Sequence, residues 1–308
     1  MTTVLITGGS GLIGRSLCKF LLERNFQVII LTRDKGKLLK GLKTGSLRYC
    51  WWDPETSQMD PDALLNTQVI VHLAGAGIAD HRWTPSRKKE ILESRIASGL
   101  LLFESLKKYP YTVKTILSAS AIGYYGEGTD RIFEESDGWS PDFLGTTCSL
   151  WEHQMEPIRL SGIRVMILRF GIVLSREGGL LKFLSRPISA GIAPIPGSGN
   201  QWVSWIHILD ICRIIHHGIS DGVMEGTFNA VAPQPSTFKE LVQTIALVRR
   251  GKKYLSLPVP STILKIMFGE MSLEILKSCR VSCQKLIRSG YTFAYPQLQE
   301  ALEDLFPD

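Results

Sequence analysis

The sequence predicts an α/β protein built on a parallel sheet with crossover helices. Two observations carry this. Up to about residue 170, short β-branched runs alternate with amphipathic stretches, as when strands feed helices that pack back on the sheet. The first of those strands also runs directly into a glycine cluster that opens a helix, Gly8-Gly-Ser-Gly-Leu-Ile-Gly14.

Val4–Ile6 is a short apolar run of strand type. Gly14–Arg24 is helical, with Leu17, Phe20 and Leu21 at inward spacing. Val28–Thr32 is a second strand, and Val69–Leu73 a third that ends in Ala74-Gly-Ala-Gly77. Lys88–Lys108 is a long helix; Thr115–Ser118 is a strand that continues into the small-residue run Ala119–Gly123. Leu150–Leu160 reads as helix and Val165–Arg169 as strand. Beyond Gly171 the texture changes. Ile192-Ala-Pro-Ile-Pro-Gly-Ser-Gly199 is a turn-rich loop, and Ile208–Ile219 is a helix with Asp210 in its first turn. Pro258 and Pro260 lead to a helix at Ser261–Glu270, and Gln297–Leu305 is amphipathic. No repeat or flexible linker interrupts the chain, so the second part is expected to pack on the first.

The 308 residues are roughly twice a common domain length, enough for a large core without disulfide or metal. A hydrophobic share of 44% and a charged share of 21% exclude a disordered protein. The formal charge of +6 suits an anionic small molecule and is too dilute to argue for nucleic acid. No secretory signal is visible, and no apolar run reaches the ~20 residues that span a bilayer. A cytoplasmic chain without a membrane partner is expected. Cys18, Cys50, Cys148, Cys212, Cys279 and Cys283 are scattered and read as free thiols. Cys279 and Cys283 read as one turn of helix.

The glycine cluster lies between strand and helix, the context that gives such a motif meaning. Gly8 and its neighbours allow the tight turn, Gly11 lets backbone approach a pyrophosphate, and Gly14 seats the helix on the sheet. The helix N-terminus then offers free N–H groups to phosphate. The residue that reads the adenosine ribose is expected about 20 residues on, at the end of the second strand. There stand Thr32 and Arg33. An acid would bind the ribose hydroxyls and repel a 2′-phosphate; Arg33 attracts that phosphate. NADP is therefore expected over NAD, although Asp34 follows at once and a slip of one residue reverses the preference. The small-residue turn Leu73-Ala74-Gly75 on the same sheet edge lets adenine and ribose lie on backbone.

These segments resemble the short-chain dehydrogenase/reductase superfamily of extended or atypical type, through Thr7–Gly14, Leu73–Gly75 and Trp205-Ile-His-Ile-Leu-Asp210. More specifically, the chain is similar to the epimerase-family branch of the NAD-dependent epimerase/dehydratase family. That likeness runs through Leu73–Trp83, Lys89–Arg95, Phe143–Glu152, Arg169–Ser175 and a tail from Leu257 to Phe293. It implies a doubly wound Rossmann sheet over residues 1–170, able to receive later strands. It also implies a smaller C-terminal α/β substrate lobe over 171–308, with the family's own segment at about 251–298. Cofactor contacts are implied at Ser10, Gly11, Leu12, Ile13, Thr32, Arg33, Leu73, Ala74, Glu90, Arg95 and Val173.

Extended members of the superfamily use a Ser, a Tyr and a Lys four residues after the Tyr. Anchored on Trp151-Glu152 and Tyr125-Gly126, those positions fall on Ala121, Leu144 and Cys148. A slip of one residue offers Ser120 or Phe143. Tyr124 and Tyr125 are the substitute acid/base candidates, or else packing residues. Cys148 is a thiol without a cation near it in sequence, and His207 is either a base or a structural donor. Trp83, Trp202 and Trp205 either floor a ring site or pack the lobes. The runs Arg82, Arg87–Lys89 and Arg249–Lys253 either bind an anionic substrate or are solvated. Two functions stay open. One is an NADP-dependent oxidoreductase or sugar-nucleotide epimerase with an altered acid/base; the other is a cofactor-bound regulatory or binding protein, linked by some relatives' names to division. The partner is a small molecule, with the protein a monomer or homodimer.

Overall fold

The structure, a computed structural model, describes residues 1–40 and 45–307; residue 308, the last of the expected lobe, lies outside them. The first half contains β1 (Thr3–Thr7), α1 (Leu12–Leu22), β2 (Gln27–Thr32), α2 (Lys35–Lys40), β3 (Leu47–Asp53), β4 (Gln58–Met59), α3 (Asp62–Leu65), β5 (Val69–His72) and α4 (Pro85–Lys108). Next come β6 (Thr115–Ala121), β7 (Gly128–Phe133), α5 (Phe143–His153), α6 (Glu156–Leu160), β8 (Arg164–Phe170), β9 (Ile172–Leu174), α7 (Gly179–Ser189) and β10 (Ile192–Pro196). They are followed by β11 (Trp202–Val203), β12 (Trp205–His207), α8 (Ile208–Ser220), β13 (Gly226–Ala230), β14 (Ser236–Thr237) and α9 (Phe238–Arg250). The chain ends with β15 (Leu255–Val259), α10 (Ser261–Phe268), α11 (Met271–Leu276), β16 (Cys279–Val281), α12 (Gln284–Arg288) and α13 (Leu298–Leu305).

Eight strands form the main sheet in the order β13-β8-β6-β5-β1-β2-β3-β4. All pairs are parallel except the β3–β4 hairpin. β1 is buried on both faces, as a central parallel strand must be. Val4 and Ile6 join the cluster under α1 and α8, while Leu5 joins the one under α4 and α6. The order reverses at β1, which pairs with β2 on one side and β5 on the other. Ligands of such sheets bind in the crevice at that reversal, beyond the carboxyl ends of the strands. The turn after β1 and the turn after β5 meet there.

The C-terminal part packs α7, α9 and α13 around Trp205. It also lends β13 to the main sheet, beside β8. Asp210, fully buried in the first turn of α8, accepts from the Tyr291 hydroxyl (2.7 Å) and from the N–H groups of Ala294 (2.8 Å) and Tyr295 (3.0 Å). It thereby ties the tail to α8.

Several elements differ from the sequence reading. β3 and β4 lie between the strands read as second and third, because Leu47–Asp53 alternates buried and half-exposed residues and carries Arg48 and Asp53. The helix read at 150–160 begins at Phe143, capped by Asp142, and breaks before α6. Ile192–Pro196 is a strand, parallel to β15; its prolines are tolerated because it pairs on one side only. Cys279–Cys283 is not a helical turn. Cys279 pairs with both Val203 and Gly128 in strand, and Cys283 caps α12. Tertiary pairing overrides the local spacing there.

Candidate active site at the sheet reversal

The glycine cradle comes first. Gly8 has φ +68°, and a Cβ on it would lie 2.7 Å from the Leu73 carbonyl oxygen. A Cβ on Gly14 would collide with the Gly8 carbonyl and Gly9 Cα, so α1 rests on the loop only because Gly14 has none. Gly11 is different. Its Cβ would meet only the Gly8 carbonyl, at 3.2 Å, and open space otherwise. Gly11 is also the N-cap of α1 and supplies no side-chain cap, leaving the first N–H groups of the helix for an anion. Ser10 and Gly11 are exposed, while Leu12 and Ile13 are partly so. This cradle fits the pyrophosphate of a dinucleotide. Arg15 donates to the Ser10 carbonyl (2.6 Å) and lies 3.5 Å from Glu177, bracing the loop from outside.

At the end of β2, the Thr32 hydroxyl accepts from Asp34 N–H (3.0 Å) and the Asp34 carboxylate from Gly36 N–H (2.9 Å). Asp34 is thus turned onto its own backbone. Arg33 projects into solvent, where its guanidinium meets Glu55 at 2.7 Å.

The turn Leu73–Gly75 hangs on a buried relay. Thr7 Oγ1 accepts from Leu73 N–H (3.0 Å) and Ala74 N–H (3.1 Å) and lies 2.9 Å from His72 Nδ1. With two donors already on the oxygen, the Thr7 proton goes to Nδ1 and the His72 proton sits on Nε2. Nε2 faces Ser98 Oγ at 3.5 Å, and Ser98 donates to the Arg95 carbonyl at 3.0 Å. Burial, reinforced by Arg95, pushes the His72 pKa down to about 4, which keeps the ring neutral.

Glu90 and Arg95 take opposite sides of α4. Glu90 is exposed and accepts from Arg87 (2.7 Å). Arg95 is buried, donates to the carbonyls of Ile91 (2.7 Å) and Ala76 (3.1 Å), and covers the Trp151 ring at 4.8 Å. Its guanidinium also borders Gly75. Val173 is half-buried in β9 and pairs with Ile206.

Ala121, Leu144 and Cys148 do come together at the end of β6. Leu144 lies against Gly123, and the Cys148 thiol adjoins the Ala121 backbone and the Ser120 hydroxyl. Burial pushes Cys148 up to about 11, aided by Glu152 and opposed by Arg95, so it is a neutral thiol. The cation missing from the local sequence is Arg95, brought from α4. Ser120 donates to Glu152 (2.6 Å), which pairs with the buried Arg169 through two bonds of 2.8 Å.

The tyrosines differ sharply. Tyr125 is buried and stacked on Phe133; its hydroxyl donates to Asn229 (2.6 Å) and accepts from Arg169 (2.8 Å). Burial raises its pKa far above the usual phenol value, giving it the place of a strut. Tyr124 is half-buried, with the Arg169 guanidinium 3.5 Å over its ring, and its hydroxyl has no partner among the described residues. His207 is buried. Its Nδ1 accepts from Leu209 N–H (3.1 Å), which caps α8, and its Nε2 faces Asp304 at 3.4 Å. Burial lowers its pKa despite that carboxylate, and its ring is engaged as the cap of α8. Trp205 and Trp83 are buried packing residues, and Trp202 carries Arg280 on its ring.

The C-terminal segment closes over this place. Gly269 pairs with Trp83, Glu270 with Lys88 (2.6 Å), and Met271 packs against the apolar cluster of Trp83, Ile91 and Leu144. Lys277 reaches the Asp142 carboxylate at 2.8 Å. Arg87 is buried and donates to the Gly77 carbonyl (2.5 Å), so Arg87 and Lys88 serve internal contacts.

Two family models account for the chain: the NAD dependent epimerase/dehydratase family over residues 4–230, and a domain of unknown function, DUF1731, over 259–305. The chain belongs to the NAD-dependent epimerase/dehydratase family. Similar members include the epimerase family protein YfhF of Bacillus subtilis, 34% identical over 99% of this chain and 98% of that protein. Another is the epimerase family protein Mb2239 of Mycobacterium bovis, 33% identical over 97% and 96%. Among solved structures, human epimerase family protein SDR39U1 with NADPH matches with a TM-score of 0.85, 25% identity and 99% coverage of both chains. A nucleoside-diphosphate sugar epimerase from Corynebacterium glutamicum matches with a TM-score of 0.77 and 31% identity, over 98% of this chain and 57% of that one. The Rossmann-type sheet is thus common to this epimerase-family chain and its structural neighbours.

In this family member, the sequence reading missed the Thr7–His72–Ser98 relay and the Arg169–Glu152 pair. A histidine inside an apolar strand, Val69-Ile-Val-His72, and an arginine inside another, Val165-Met-Ile-Leu-Arg169, were the available signals. A polar residue buried in a strand needs a partner.

Proposed function

We propose that the protein binds NADP(H) in the glycine cradle and acts as an oxidoreductase or epimerase-like enzyme without the Tyr–Lys acid/base pair. The observation that carries this is the open space at Gly11, on an uncapped helix N-terminus, with Arg33 projecting from the end of the neighbouring strand. The NADPH of the human relative supports the reading. When bound, the nicotinamide supplies hydride exchange with a substrate carbon. The chain supplies the rest. The cradle holds phosphates, Arg33 reads the 2′-phosphate, and Thr7 and His72 hold the Leu73–Gly75 turn as a platform. Gly8, Ser10, Leu12, Ile13, Gly14, Thr32, Ala74, Glu90, Arg95 and Val173 complete the proposed cofactor set. Leu144 and Ala121 have no proton to exchange. Tyr124 is the proposed proton group, and Tyr125 the weaker candidate because both hydroxyl contacts are committed. The Corynebacterium neighbour's name supports a sugar nucleotide as substrate.

One observation favours a second reading, a cofactor-bound binding or regulatory protein: Leu144, at the position of the usual Tyr, is buried in an apolar cluster with Trp83 and Ile91. Mass spectrometry of small molecules released from the purified protein separates the two. A sugar nucleotide or carbonyl compound beside NADP supports the enzyme; NADP alone, with no turnover of sugar nucleotides, supports the second reading. Release of NAD alone contradicts the NADP assignment.

A further inference from the structure

We infer that Glu55 is a specificity-determining residue that weakens the hold of Arg33 on the adenosine 2′-phosphate and so sets how far the protein prefers NADP(H). The inference rests on the NADP(H) reading above. The Glu55 carboxylate lies 2.7 Å from an Arg33 Nη, the same guanidinium that would pair with the phosphate. Its position is built rather than incidental. The β3–β4 hairpin pairs Asp53 with Gln58. Between them the Asp53 carboxylate accepts from Glu55 N–H (3.1 Å) and from the Thr56 hydroxyl (2.9 Å). Ser57 takes the left-handed conformation at φ +53° to close the turn. The nearer acid in sequence, Asp34, is occupied by Gly36 N–H. Glu55 is therefore the carboxylate that the fold delivers to Arg33.

Two effects follow. The guanidinium must exchange carboxylate for phosphate when the cofactor binds, and the displaced carboxylate stays near a doubly negative group. Both oppose the 2′-phosphate and neither touches a ribose hydroxyl. The pair also holds Arg33 in place, which would favour binding; with side chains 61% and 78% exposed, that ordering contributes little, and repulsion of a dianion outweighs it.

The test is fluorescence titration of NADPH and NADH against the parent chain, Glu55→Gln, Arg33→Ala and the double variant. Both side chains are exposed, so folding is not at issue. Glu55→Gln should bind NADPH about three- to tenfold more tightly at low salt and leave NADH within about twofold, a difference that added salt narrows. In the Arg33→Ala background the gain should shrink, because the exchange is gone. Two failures are distinguishable. If Arg33→Ala leaves the NADPH-to-NADH ratio unchanged, the 2′-phosphate reading falls and takes this inference with it. If Arg33→Ala collapses the ratio while Glu55→Gln leaves NADPH affinity unchanged or lowers it, the cofactor reading stands and the role given to Glu55 is overturned.

Discussion

At the scale of single residues, the site depends on a few buried polar groups whose partners are fixed. His72 is the clearest. Folding holds it neutral, with a pKa near 4 against 6.5 for the free side chain. Between those values the unfolded chain binds a proton that the folded chain refuses, so stability rises with pH across that window and falls as pH drops from 6.5 toward 4. Urea unfolding from pH 7 to 4.5 should show this slope, and His72→Gln should flatten it; an equal slope in the variant would remove the relay from the account. The tyrosines give a second contrast. Tyr125→Phe strands the Asn229 amide oxygen and one Arg169 N–H, and should cost about 1–3 kcal/mol of stability. Tyr124→Phe should cost under about 0.5 kcal/mol, and any protein-derived proton transfer should disappear with it. Denaturant midpoints beside turnover measurements check both, and turnover untouched by Tyr124→Phe would dismiss that hydroxyl.

At the scale of elements, α5 shows how a loop residue sets a functional helix. Asp142 caps it by accepting from Gly145 N–H at 2.8 Å and is held in turn by Lys277. Burial alone would raise the Asp142 pKa; Gly145, Lys277 and Ser140 outweigh it, and the net shift is downward. The stabilisation is present above the ordinary carboxylate pKa and is lost as pH falls through the lower folded value, below about 4. Asp142→Ala should therefore cost about 1–2 kcal/mol near pH 7 and progressively less below pH 4, measured by urea unfolding at several pH values. A pH-independent cost would contradict the pairing. The same element marks a limit of the sequence. Phe143–Cys148 carries Gly145 and the pair Thr146-Thr147, which weaken a helix, so the start of α5 was not marked by propensity; Asp142 caps it, and Leu144 and Cys148 are buried along it. β3 was illegible for a similar reason. Its Arg48 and Asp53 disguise a strand whose inward face is Cys50 and Trp52. By contrast β1, β2 and β5 were plain, because strands covered on both faces carry uninterrupted apolar runs.

At the scale of the molecule, the fold class and the tight glycine turn were legible because both are written in short runs of residues. A glycine that must lack a Cβ, placed between a strand and a helix, carries its meaning in a few residues. The candidate chemistry was not local. Arg95 reaches Cys148 from α4, Glu55 reaches Arg33 from the next hairpin, and Met271 of the C-terminal segment packs against the cluster that holds Leu144. No spacing in the sequence announces those meetings. The sheet expected over residues 1–170 was allowed later strands, and β13 is the one that returns to it, beside β8; which strand it would be was not marked in the sequence. The proposed function converges on the crevice at β1, between the glycine turn and the end of the paired strand β2. Titration of the purified chain with NADPH and with NADH, by calorimetry, tests that claim most directly. A charged contact to phosphate is worth about tenfold or more in affinity, and even reduced by Glu55 it predicts NADPH tighter than NADH, with binding lost in a folded Gly11→Val variant. Equal affinity for the two dinucleotides, or binding that survives Gly11→Val, would contradict it.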